Sequence, residues 1–159
     1  MLYDLIVFLI ILIPFIIYIV LNASNDRIKF GGIFVLIVFF IMFILPVIHI
    51  HYKYYKLNGN TQYEFQEDKI IVTNITDHML QVYLKKDVEK VVISLSPKKM
   101  KKSGISFLTF EDYFYIKLIM VDRHEVLFTS LLGEHLVTLS ENYFDKEKIE
   151  YSVNIYNSI

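Results

Sequence analysis

Phe30 to Ile48 reads FGGIFVLIVFFIMFILPVI, nineteen residues without a charge, and this stretch limits what the chain can become more than any other. As a helix rising about 1.5 Å per residue it matches the roughly 30 Å hydrocarbon layer of a bilayer. A helix apolar on every face has no polar side to give to water, so a membrane span predicts itself better than a core helix does. Leu5 to Leu21 (LIVFLIILIPFIIYIVL) is a second uncharged run, of seventeen residues, at the short end of spanning length. No Lys or Arg precedes it, Asp4 stands where a signal peptide carries positive charge, and Asn22-Ala23-Ser24 is only a loose cleavage site. A retained helix is the expectation.

The link between the runs, NASNDRIK at 22–29, is short enough to make the helices antiparallel. Residues 1–56 are therefore expected to form a two-helix transmembrane hairpin with spans at about 5–21 and 30–51. Pro14 lies mid-span and would free a backbone carbonyl, which calls for packing against the partner helix. Gly31 and Gly32 let backbones approach and mark a second packing position. Lys53, Lys56 and Lys69 after the second span outnumber Arg27 and Lys29 in the link by one, so both termini and the soluble domain are expected on the cytoplasmic side. His49 and His51 end the second span beside Tyr52, Tyr54 and Tyr55, residues suited to headgroup level. Neither span holds an intramembrane acid or base beyond Asp4 at its edge, which disfavours a pump or ion channel.

Residues 57–159 read as one β-rich domain. After the break at Leu57-Asn58-Gly59-Asn60, strand-length runs follow at Tyr63–Phe65, Lys69–Val72, Met79–Leu84, Val88–Leu95, Ile105–Phe110, Tyr113–Val121 and Glu125–Thr129, with turn residues between them. The period then changes. Leu131, Leu132, His135, Leu136, Leu139 and Tyr143 recur at three and four, predicting an amphipathic helix over about 130–143 capped by Thr129 or Ser130. The tail from Asp145 either extends that helix or adds an edge strand.

Seven strands and a helix, with the Asp87-Val88-Glu89-Lys90-Val91 step and the Glu125-Val126-Leu127-Phe128 strand running into the helix, resemble the bacterial pleckstrin-homology-like domains found after two-helix membrane hairpins. The resemblance implies a seven-stranded partly open barrel of two near-orthogonal sheets, with the C-terminal helix plugging one end against Phe107 and Phe128. It also implies a bacterial inner-membrane protein. Phosphoinositide-binding members carry Lys and Arg across the first hairpin; here that region reads Glu64, Glu67, Asp68, Lys69.

Chemistry-bearing motifs are sparse. With 16 Lys+Arg against 17 Asp+Glu, no long-range field marks a nucleic-acid binder. Cysteine is absent, which removes thiol nucleophiles and cysteine metal sites. No nucleophile elbow, phosphate-binding glycine loop or paired-histidine zinc motif occurs. His78, His124 and His135 stand singly. No catalytic residue, metal or cofactor is assigned, and an enzyme is not expected. The most suggestive segment is Pro97 to Gly104, whose Lys98, Lys99, Lys101 and Lys102, with Met100 among them, suit anionic headgroups at about 1 kcal/mol per lysine. Glu141, Asp145, Glu147 and Glu150 make an opposing acidic region. The expected partners are membrane lipid and a membrane or cytosolic protein, or further copies of the chain. Two other layouts fit: a two-helix membrane effector of antiphage defence with a ligand-sensing barrel, and an immunity or accessory subunit of a membrane complex.

Overall fold

The computed structural model describes residues 2–22, 24–101, 109–154, 157 and 159. It divides into two compact units, the first made mainly of residues 1–49 and the second of residues 50–105 and 111–159.

The first unit is helical. Helix α1 covers Leu2–Asn22 with Pro14 inside it, and α2 covers Asp26–Phe39. Asn25 caps α2 by accepting from the Arg27 N–H at 2.9 Å, satisfying one of the donors a helix start leaves open. A π turn, Phe40–Ile44, leads into α3, Leu45–Asn58. The widened turn has a local cause: Leu45 N–H reaches back five residues to the Phe40 carbonyl, and Pro46 follows with no N–H to give. Together Asp26–Asn58 form a 33-residue helical run, the one among the described residues long and apolar enough to cross a membrane by length and composition.

The second unit begins at Ile50, so the last turns of α3 belong to it. Strands β1 (Thr61–Phe65), β2 (Lys69–Asn74) and β3 (Leu80–Leu84) form an antiparallel sheet in that order. Strands β4 (Val88–Leu95), β5 (Tyr115–Met120), β6 (Glu125–Thr129) and β7 (Ile149–Val153) form a second sheet in the order β6-β5-β4-β7, with β7 parallel to β4. The sheets do not close into a barrel.

Inward positions follow the two-residue period: Ile116, Leu118 and Met120 in β5, Val126 and Phe128 in β6. In β4 the buried residues are Val88, Val91, Ile93, Ser94 and Leu95, and the step from Val88 to Val91 breaks the period. The bulge between Val88 and Lys90 shifts the pairing with β5 by one and returns Val91 to the interior. Tyr63, Phe65, Val72 and Tyr83 of the first sheet pack against this cluster, which also includes Leu136 and Phe144. Each fully buried aliphatic or aromatic side chain contributes about 1.5–3 kcal/mol.

Three expectations need correction. The strand set differs: β7 is the seventh member, and of the run at 105–110 only Thr109 and Phe110 are described, in a 3₁₀ turn (Thr109–Asp112), with Phe107 outside the described residues. The terminal helix is shorter. Ser130–Leu132 form a 3₁₀ turn, Gly133 follows at φ 141°, and the helix α5 proper is Leu136–Tyr143, without a side-chain cap. That positive φ ends the first turn, so Leu131 and Leu132 share a periodic pattern with Leu136 but not a helix axis. The lysine segment is not wholly a loop, since Pro97–Lys101 form a five-residue helix, α4.

Candidate functional site

Within α4 the lysines divide. Pro97 suits the first helical position, where a missing N–H costs nothing, and the Lys99 N–H bonds the Ser96 hydroxyl at 3.3 Å. Lys98 lies 3.6 Å from Asp112, and the Lys99 ammonium sits 4.9 Å from the centre of the Phe114 ring, a cation–π contact. Both therefore have partners inside the domain. Met100 is 43% exposed and Lys101 is exposed beside it. Lys102 lies outside the described residues. The surface offered to a headgroup is narrower than four lysines imply.

The end of α3 holds a polar constellation that sequence reading passed over. His51 Nδ1 and the Tyr113 hydroxyl are 2.9 Å apart, Tyr54 donates to the Asn157 carbonyl at 2.8 Å, and Lys53 donates to the Ile159 carbonyl at 2.7 Å. Asn157 is itself engaged at both ends of its amide, which accepts from the Ser94 hydroxyl and donates to the Tyr113 carbonyl. Burial first, and then the Asp112 carboxylate, push the Tyr113 phenol up to about 12, so it keeps its proton at neutral pH. Tyr54 is fully buried and packs edge-on against Tyr113, which removes it from the headgroup role expected of it; Tyr52 and Tyr55 stay exposed.

Asn58 does something more specific. It donates to the Leu127 carbonyl at 3.2 Å and accepts from the Thr129 N–H at 2.9 Å. One residue of a parallel neighbouring strand would make the same two bonds, so a side-chain amide stands in for a strand at the free edge of β6. The only sequence signal was the turn-rich Asn58-Gly59-Asn60, which reads as a break and not as a cap. Beside it lies an open cavity of about 650 Å³ lined by His51, Tyr55, Asn58, Gln62, Tyr63 and Leu132, among others.

The remaining candidates are dispersed. His78 occupies a turn at φ 51°, His124 stacks on Tyr83, and His135 precedes α5; among the described residues no group of three His, Asp or Glu is placed to hold a metal. Glu150 pairs with Lys90, and burial first, then the Glu141 carboxylate that accepts from its hydroxyl, push the Tyr151 phenol up. In the helical unit, a Cβ on Gly32 would meet Val20 of α1 at 2.9 Å, whereas one on Gly31 would meet open space. Pro14 is exposed within α1.

A family model described as a PH domain aligns with residues 1–137, from the start of α1 into α5, leaving β7 beyond it. No curated protein and no solved structure matches the chain. The family match covers most of the sequence, and on it the chain belongs to the PH domain family.

Proposed function

We propose that the chain is an integral membrane protein whose PH domain is a non-catalytic binding module held at the membrane surface, meeting anionic headgroups or a protein partner there. PH domains generally bind lipids or proteins, and the observation that carries the reading is the apolar run Asp26–Asn58, which falls inside the region matched to the family. Tethering raises the local concentration of the module, so weak contacts suffice. The one-charge excess of Lys53, Lys56 and Lys69 over Arg27 and Lys29 favours a cytoplasmic domain on a bacterial inner membrane. Gly32 against Val20 supports a hairpin of α1 and α2.

Met100 and Lys101 are the headgroup contact, reinforced by Lys98 when it exchanges Asp112 for phosphate. Flotation of the purified full chain, in mild detergent below its solubilising concentration, with phosphatidylglycerol vesicles is the test of the lipid arm. Lys98→Glu with Lys101→Glu is expected to cut recovery at least about threefold relative to phosphatidylcholine vesicles, two lysines contributing about 2 kcal/mol at most. Equal recovery of the variant and the parent would assign the module to a protein partner.

A further inference from the structure

Strand β6 ends the second sheet, and its register fixes which backbone groups point off that sheet. Met120 N–H bonds the His124 carbonyl and Ser130 N–H bonds the Phe114 carbonyl, so the even-numbered residues of β6 exchange bonds with β5. The N–H and C=O groups of Glu125, Leu127 and Thr129 therefore face outward, in agreement with the two bonds that Asn58 makes to Leu127 and Thr129. Asn58 occupies one rung of this edge, the carbonyl of one residue and the N–H two residues on. The same pair recurs one rung earlier, as the Glu125 carbonyl and the Leu127 N–H, about 6.8 Å along the strand. No described group of the chain bonds either of them.

A cavity of about 390 Å³ adjoins that rung, a volume in the range of small-molecule sites. Its wall includes Val72 of β2, Met79 just before β3, Phe128, and the Tyr83 ring stacked on His124. The two other side-chain amides in the wall are already engaged: Asn74 accepts from the Thr76 N–H at 2.9 Å, and Gln81 accepts from the Tyr83 hydroxyl at 2.7 Å.

We propose that this rung binds a small aromatic primary carboxamide. Asn58 supplies the precedent within the same molecule. A primary amide presents its oxygen and one N–H along a single edge, and that edge matches one carbonyl and one N–H of the strand. An extended peptide needs several rungs, whereas here Asn58 blocks the edge beyond Leu127 and the β5–β6 turn at Arg123 ends it on the other side. A flat ring suits the apolar and aromatic wall that continues from the rung. The inference rests on the β unit alone and is independent of membrane anchoring.

Nicotinamide is the probe, with its secondary N-methylamide and nicotinate as comparators. A secondary amide stays trans, which sets its N–H and C=O on opposite edges, and nicotinate has no N–H to give the Glu125 carbonyl. Binding to the purified full chain in mild detergent is read by saturation-transfer NMR titration, with protein-free micelles as the blank. Nicotinamide is expected to bind at least about ten times more tightly than either comparator, since each of them leaves one backbone group unpaired. Leu127→Pro deletes the outward N–H without removing a bond to β5, and it is expected to weaken nicotinamide binding at least about tenfold with the far-ultraviolet circular dichroism unchanged. Met79→Trp leaves the strand intact and fills the cavity from a position that is 61% exposed, so it is expected to weaken binding as much even where the proline variant does not fold. Absence of nicotinamide binding up to about 10 mM, a very weak limit even for a fragment, overturns the proposal. Equal affinity for the three probes, or full binding by folded Leu127→Pro or by Met79→Trp, overturns it as well.

Discussion

At the scale of single residues, the end of α3 is held to the rest of its unit by His51, Lys53, Tyr54 and Asn58. Asn58 is 7% exposed and satisfies one carbonyl and one N–H of β6. Replacing it with alanine leaves both without a protein partner, a loss of about 1–3 kcal/mol, moderated where the adjoining cavity admits water. Asn58→Ala is therefore expected to lower the unfolding midpoint of the domain by roughly 4–8 °C per kcal/mol lost, followed by near-ultraviolet circular dichroism of the full chain in detergent. Asn58→Asp keeps the acceptor for Thr129 but turns an oxygen toward the Leu127 carbonyl, and it is expected to fall nearer to alanine than to the parent. None of this was legible in sequence. An asparagine in a turn-rich stretch looks the same whether it ends a helix or caps a strand seventy residues away, because nothing local records the distant partner. Lys98 and Lys99 failed in the same way, their Asp112 and Phe114 partners lying beyond any spacing rule.

At the scale of elements, the period-two runs read well because the same alternation that marks a strand also buries one face of it. β5 alternates without interruption, while the bulge in β4 left its spacing ambiguous until pairing with β5 was seen. The leucine pattern after β6 misled for a stated reason: Gly133 at φ 141° splits a 3₁₀ turn from α5, and apolar spacing cannot register a backbone reversal. β7 was left open between helix and strand, and its parallel pairing with β4 depends on a neighbour sixty residues earlier. In the helical unit the two glycines separate. Gly32→Leu drives a side chain into Val20 and is expected to weaken α1–α2 association, whereas Gly31→Leu enters open space and is expected to leave it unchanged. Protease protection of the link at 22–29 in vesicles, compared between the two variants, reads the difference; equal susceptibility would dissociate Gly32 from helix packing.

At the scale of the whole molecule, a helical run precedes the strands of a PH domain. The run Asp26–Asn58 ends inside the compact β unit, and its final turns supply His51, Tyr54 and Asn58 to the contacts that define that unit. Its last turns thus belong to the β unit, and its earlier residues are apolar. Composition made the apolar run visible at once, and the family match includes it. The central claim is that this run is embedded in lipid. Extraction of membranes carrying the full chain with alkaline carbonate tests it most directly, since high pH strips proteins held by charge or by protein contact and leaves those inserted in the bilayer. The account predicts that the chain stays in the pellet with a known integral marker, and its release to the supernatant with peripheral proteins would contradict it.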